Sequence, residues 1–428
     1  MREMKDSGIQ GVNWIPSYWN RIQLEHCANI IRGGSPRPIE QYMSNNNDGY
    51  AWIKIGDTVK GSKYITKVKN KIIPSGLPKT RYVKSGTLLL TNSMSFGEPY
   101  ILSINGCIHD GWLAFSDLRY IEKEFLYYFL LSSACRVQFE KFSDGGVVQN
   151  LNIDKVKHSI IYFPDINEQK KIVRFLDIKC AEIDALNADV QAEIETLEAY
   201  KQSVIAETVT KGLNKHVVMK DSGMAWLPKL PAHWEIIPSK YLFKNMDGRR
   251  RSGDEQLTAS QKYGIITQAD YMERENAKVV LATQKLDDWK HVEPNDFVIS
   301  LRSFQGGLEM SEISGCITWH YVVLRATHKI YPRFYKWLFK SSQYINALQG
   351  TCNFIRDGQD LRYSNFAQVP LYIPPLDEQE DIARFLDDRC AEIDKIITHK
   401  QEQLTILADY KKSLIYEYVT GKKEVPDI

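Results

Sequence analysis

Residues 174–184 read RFLDIKCAEID, and residues 384–394 read RFLDDRCAEID. Nine of these eleven positions are identical, 210 residues apart in a chain of 428. Working outward, 167–210 aligns with 377–420 without a gap, and 21 of the 44 positions are identical. Both copies follow an apolar, strand-like run closed by proline, HSIIYFPDINEQ and VPLYIPPLDEQ. An acid or amide before Glu-Gln, just after a proline stop, is the pattern of a helix N-terminus. Neither copy contains glycine or proline before its end, so each predicts one helix of about 66 Å at 1.5 Å per residue.

In the first copy Leu176, Ile183, Leu186, Val190, Leu197, Tyr200 and Val204 recur at heptad spacing. The second copy repeats the series as Leu386, Ile393, Ile396, Leu407, Tyr410 and Leu414, with Lys400 interrupting. A helix with one apolar stripe and an acidic remainder is unstable alone in water. The two helices are therefore expected to pack on each other as an antiparallel coiled coil. Two independent helices, each lying on its own domain, are the alternative. Cys180 and Cys390 occupy equivalent positions and read as small buried hydrophobes. The repeated Glu and Asp residues are expected on outer faces, open to partners.

The blocks before the helices also correspond. MKDSGIQGVNWIPSYW (4–19) matches MKDSGMAWLPKLPAHW (219–234), and NGCIHDGW (105–112) lines up with SGCITWHY (314–321). FLYYFLLSS (125–133) aligns with FYKWLFKSS (334–342), and VKSGTLLLTNSMSFG (83–97) with VEPNDFVISLRSFQG (292–306). The chain is thus a tandem duplication with boundaries at 1–166, 167–213, 214–376 and 377–428. Short β-branched and aromatic runs alternate with Gly, Pro and Asn turns in each block, which predicts a mixed α/β (α+β) domain. Between the matched landmarks the two blocks diverge: the scaffold is shared and its filling differs.

Charge follows the same division. Lys plus Arg outnumber Asp plus Glu by 20 to 15 in 1–166 and by 21 to 16 in 214–376. The helical segments reverse the sign, 6 against 9 in 167–213 and 8 against 13 in 377–428. Within 54–84, Lys54, Lys60, Lys63, Lys67, Lys69, Lys71, Lys79, Arg81 and Lys84 accompany a single acid, Asp57, and are interleaved with Tyr64 and Tyr82. Such a stretch suits a surface that tracks phosphates, although solvated turns would look similar. The second block offers Arg249, Arg250 and Arg251 beside glycines, and Arg302 in the LRSFQGG turn. Arginine reads guanine, and Asn or Gln reads adenine, by paired hydrogen bonds in the major groove. Asn92 and Gln305, in corresponding loops, are therefore base-reading candidates.

The composition is that of a globular protein, 43% hydrophobic and 25% charged. No apolar run is long enough for a membrane span, and the first residues lack an apolar signal core. Seven cysteines without a CxxC pair fit reduced thiols in a cytoplasm.

The run DGGVVQNLNIDKV…IIYFPDINEQKKIVRFLD and its second version DGQDLRYSNFAQV…LYIPPLDEQEDIARFLD, with the MKDSGIQGVNWIPSYW opening, resemble the specificity subunit of a type I restriction-modification system. The resemblance covers essentially the whole chain. It implies two target-recognition domains in tandem, each followed by a long helix and related by a pseudo-twofold. Each domain would read half of a bipartite, asymmetric site in double-stranded DNA. The helices would dock two methyltransferase subunits, which recruit restriction motor-nuclease subunits. It also implies a non-catalytic chain in a bacterial or archaeal cytoplasm that binds no cofactor; S-adenosylmethionine belongs to the methyltransferase. A related methylation-only or type IIB-like system, or a coiled-coil scaffold without DNA, are the competing readings. As a ruler, helices of this length would space the half-sites by at most about 19 base pairs.

The residues point away from catalysis. No GxxxxGK[ST] loop or Asn/Asp-Pro-Pro-aromatic segment occurs. PDINEQK at 164–170 imitates a PD-ExK nuclease, but its acids are close together and open a helix, where they complement the helix dipole. The nine histidines show no metal-ligand spacing.

Overall fold

The computed structural model describes residues 2–9, 11–44, 48–59, 61–92, 97–141, 151–276, 286–300, 303–352 and 361–426. These form two compact units, one built from 1–190 with 402–428 and the other from 191–401. The cuts fall inside the two long helices, Ile166–Lys211 and Leu376–Val419, so each unit owns a part of both.

In the first unit a five-stranded sheet runs in the order Asn29–Arg32, Trp112–Ser116, Leu88–Thr91, Pro99–Leu102, Tyr64–Ile65. Alternate residues of these strands serve different cores, as the two-residue period of a strand dictates. Leu88, Leu90, Ile101, Leu113 and Phe115 join the cluster under helix Lys123–Leu131. Leu89, Tyr100, Leu102, Trp112 and Ala114 turn the other way, onto Ile53, Val83 and Ile108. These last three belong to a four-stranded sheet ordered Asn70–Ile72, Tyr50–Ile53, Gly106–Ile108, Arg81–Val83. Strands buried on both faces explain the near-continuous apolar runs such as TLLLT.

The second unit repeats the scheme. Phe297 and Ile299 face the cluster under helix Pro332–Lys340, while Val298 and Val323 face Val292 and Ile317. The matched Gly-Cys-Ile segments are strands Gly106–Ile108 and Gly315–Ile317, each antiparallel to its partner, Arg81–Val83 or Lys290–Val292.

The repeated Glu-Gln has a structural cause. Gln169 and Gln379 are almost fully buried, and each is hydrogen-bonded through both its amide oxygen and its amide nitrogen. Gln169 accepts from the Glu122 backbone N–H at 2.7 Å and donates to the carbonyls of Tyr120 and Pro164, both at 2.9 Å. Gln379 accepts from the Tyr331 N–H and donates to the Pro374 carbonyl, both at 2.8 Å. Each glutamine ties the start of a long helix to the residue that begins the helix covering the sheet. Asp165 caps the first long helix, accepting from the N–H groups of Asn167 at 2.8 Å and Glu168 at 3.0 Å. The acids of PDINEQK are helix-terminus groups here, and Glu168 meets Arg2 at 2.8 Å.

The two long helices run antiparallel within each unit. In the first, Asp184 meets Lys411 and the Phe175 ring packs against that of Tyr418; in the second, Glu193 meets Lys400 and Lys201 meets Asp394. As one index rises the other falls.

The seam departs from its expected positions in one respect. Leu176, Ile183, Leu386, Ile393 and Leu414 are buried, and Val190, Leu197 and Leu407 are half-buried. Leu186 and Ile396, expected in the seam, are 52% and 46% exposed. The second series of inward positions lies four residues after the first, not three: Cys180, Asn187, Ile194 and Lys201, then Cys390, Ile397, Leu404 and Lys411. The apolar side chains at 186, 200, 396 and 410 had disguised this, because Leu, Tyr and Ile there match heptad spacing equally well. Cys180 and Cys390 are buried free thiols whose pKa burial pushes up to about 11.

The inward lysines answer the repeated acids. Lys411 Nζ bonds both Asp184 oxygens at 2.6 and 2.7 Å, and Lys201 Nζ bonds both Asp394 oxygens at 2.6 Å. Asp184 and Asp394 are thus paired across the helices instead of standing free for partners, which corrects the expectation for these two acids.

Ile183→Asp should destabilise the fold by several kcal/mol, because an unpaired charge would enter the seam. Leu186→Asp should stay within about 0.5 kcal/mol in the same urea titration. Lys201→Glu should weaken the protein and Asp394→Lys on top of it should restore part of the loss, read as a double-mutant coupling.

Candidate nucleic-acid interface

Three segments of the first unit converge at one end of strand Gly106–Ile108. Gly34 donates its N–H to the Ile108 carbonyl at 3.1 Å, and Thr80 Oγ1 donates to that same carbonyl at 3.0 Å. Arg81 pairs with Ile108 in the strand register. The segments 32–37, 79–81 and 108–112 therefore share a rim, and Arg32, Arg37, Lys79 and Arg81 all stand exposed on it. Lys79 lies over the Tyr42 ring, 4.7 Å from its centroid.

A second group lies along 54–72. Lys67 and Lys69 are exposed and line a shallow depression of about 440 Å³ with Gly56, Asp57, Thr58, Val59 and Val68. Lys54 is half-buried and donates to Asn70 Oδ1 at 2.5 Å; Lys71 is half-buried beside it in strand Asn70–Ile72. Lys84 is exposed in the turn after Arg81–Val83. Lys67, Lys69, Arg81 and Lys84 make no ion pair with the described residues, so their charge faces solvent.

Two residues proposed from the sequence occupy other places. Lys63 is withdrawn from the surface: its ammonium sits 2.5 Å from Asp177 Oδ1 on the long helix, within 5.8 Å of the rings of Tyr64, Tyr127 and Tyr128. Asn92 is 5% exposed and donates to the Asp110 carbonyl at 3.0 Å, so it braces a loop from inside and is not presented to a base. Lys60 and Arg302 lie outside the described residues.

In the second unit the arginines stand on a segment beside strand Lys290–Val292, with Arg249 bridged to Lys290. Arg249 and Arg251 are 65% and 62% exposed, and each is held by an acid, Asp288 at 2.6 Å and Glu293 at 3.0 Å. Arg250 is half-buried, and its Nε finds no hydrogen-bond partner among the described residues. Gln305 is exposed in the short helix Ser303–Gly306.

Arg32 and Arg37 were missed from the sequence. They lie in RGGSPRP, outside the lysine-rich stretch, and only the pairing of strands brings them beside Lys79 and Arg81. Among the described residues no cluster of His, Cys, Asp and Glu could hold a metal ion, and no helix is long and apolar enough to cross a membrane.

The family model described as "Type I restriction modification DNA specificity domain" matches residues 16–196 and 231–405. This chain belongs to that family. Its two matches fall on the two copies of the repeat, so it is a tandem pair of specificity domains of the type I restriction-modification class. The putative type I restriction enzyme MjaX specificity subunit of Methanocaldococcus jannaschii is 24% identical over 431 residues, covering 96% of this chain and 95% of that one. The StySPI specificity subunit of Salmonella potsdam is 20% identical, covering 95% and 90%. The same fold occurs in a structure concerned with assembly and conformational transition of the type I R-M system, at TM-score 0.69 and 15% identity, over 96% of this chain and 99% of that one. The HsdS subunit of Thermoanaerobacter tengcongensis matches at TM-score 0.50 and 14% identity, over 98% and 100%.

Because Lys63 is engaged inside the specificity domain, Lys63→Met should lower stability by about 1–2 kcal/mol, since Asp177 loses its cation and keeps the Tyr128 hydroxyl at 2.6 Å. Affinity for DNA should be unchanged in the folded variant, measured by a chemical-denaturation midpoint alongside a DNA titration.

Proposed function

We propose that the chain is the DNA-reading specificity subunit of a restriction-modification complex. Each unit binds one half of a split, asymmetric double-stranded site, and the helices carry two methyltransferase subunits, through which restriction subunits join. One observation carries this reading: the same strand framework occurs twice and presents different exposed cations, Arg32, Arg37, Lys79 and Arg81 in one unit and Arg249 and Arg251 in the other. A common frame with different filling suits two unlike half-sites. Phosphate contacts would set position and a few guanidinium groups would read bases. On this reading chemistry belongs to the partners: methyl transfer, with its S-adenosylmethionine, to the methyltransferase, and cleavage to the restriction subunit. A bacterial or archaeal cytoplasm, where the chromosome lies, is the matching location.

The test is sequencing of methylated adenines in cells with and without this chain, supplied with its methyltransferase. A bipartite motif that disappears with the chain supports the reading; an unchanged methylation pattern refutes it. In binding experiments the affinity should fall steeply with salt. Lys67→Ala with Lys69→Ala should weaken binding to all sequences and reduce the slope of log K against log salt by about two, if both contact phosphate.

A further inference from the structure

We propose that Arg32 and Arg37 are base-reading residues of the first unit and that Asp110 is the positioning residue that aims them. This rests on the DNA-reading function proposed above and assigns it to particular atoms.

Asp110 organises both arginines at once. Its backbone carbonyl accepts from Arg32 Nε at 2.9 Å, and the two Nη groups of that guanidinium make no hydrogen bond or ion pair among the described residues. Its carboxylate accepts from Ser35 Oγ at 2.7 Å through Oδ1 and meets Arg37 Nη2 at 3.4 Å through Oδ2. The Ser35 hydroxyl in turn accepts from the Asp110 backbone N–H at 3.3 Å. Asn92, from inside, donates to the same Asp110 carbonyl. The Ser35 hydrogen bond, chiefly, draws the Asp110 carboxyl below its ordinary pKa, so it stays ionised at neutral pH.

The platform beneath is stitched by backbone. Gly33 donates to the Trp112 carbonyl at 2.9 Å, and Gly34 to Ile108. A Cβ on Gly33 would fall 2.0 Å from the His109 carbonyl oxygen, so only glycine permits this approach. The segment is thus held rigidly at its root while Arg37 leaves 82% of its side chain in solvent.

Stability does not explain the arrangement, since an ion pair this exposed contributes little to folding. Nor does phosphate binding, which needs charge but no fixed orientation and is weakened by a nearby carboxylate. Reading guanine does need a planar fork held in one orientation, because both N–H groups must meet O6 and N7 together. A carboxylate behind the guanidinium supplies that orientation at the cost of some net charge. Independent support comes from the second unit, where exposed Arg249 and Arg251 are likewise held by Asp288 and Glu293.

The experiment uses the full chain with its methyltransferase, on DNA carrying the motif found by methylation sequencing and on DNA with single base-pair changes in either half. Arg37→Ala and Arg32→Ala should each cut affinity for the intact motif roughly 10- to 100-fold while nearly sparing unrelated DNA. Each should erase discrimination at one position of one half-site and leave the other half-site untouched. Arg37→Lys should keep non-specific affinity without restoring discrimination. Asp110→Asn should reduce discrimination in the same half-site, with the arginines still present. Variants that keep the motif and its affinity overturn the proposal, as do variants that lose intact and unrelated DNA equally with a shallower salt slope, the mark of phosphate contacts. A wild-type complex with no salt-dependent DNA affinity would instead remove the DNA-reading function itself, and this assignment with it.

Discussion

The ion pairs Lys411–Asp184 and Lys201–Asp394 place ammonium groups at inward positions of a helix pair, with only about a fifth of each lysine side chain exposed. A leucine there would bury more apolar surface and favour the fold more strongly, but it would accept several alignments. A half-buried charge accepts the alignment that brings its carboxylate within reach, so such residues select register at some cost in stability. Lys400 with Glu193 adds a third constraint of the same kind. The repeated RFLD…CAEID segment supplies the aspartate of each reciprocal pair, and the Tyr-Lys near the other end of each copy supplies the lysine.

The register reaches the two sheet-bearing units through the buried glutamines. Gln169 and Gln379 join the first turn of each long helix to the start of the helix that covers each sheet. That covering helix buries one face of the strands whose other face supports the cation-bearing rim. A chain of hydrogen bonds and close packing therefore connects the repeated motif to the exposed arginines. The frame is repeated between the copies because its parts satisfy one another; the exposed arginines instead meet local acids, Asp110 in one unit and Asp288 and Glu293 in the other, and differ.

The exposed cations of the two units differ in how they are held. Lys67, Lys69 and Lys84 are exposed and make no ion pair among the described residues. Arg37, Arg249 and Arg251 are each exposed yet meet a carboxylate. Lys63 belongs to neither set, since three tyrosines and Asp177 surround its ammonium.

Much of this was legible in the residues alone. The duplication, the two uninterrupted helices, their antiparallel pairing and the family all follow from local pattern: repeated identities, the absence of glycine and proline, apolar spacing, and a matched motif. Such signals are carried by neighbours along the chain, and the hydrophobic effect enforces them wherever the chain folds. What tertiary structure alone decided were choices between residues of equal local merit. Leu186 and Ile396 look as apolar as Cys180 and Ile397, but the partner helix decides which pair faces inward. Asn92 reads as a polar loop residue and proves to be a buried brace, while Arg32, Arg37 and Asp110 became a group only when strand pairing brought 32–37 against 108–112. Composition states what a side chain is able to bond; which atoms come within 3 Å of it depends on segments tens of residues away, and no local pattern records that.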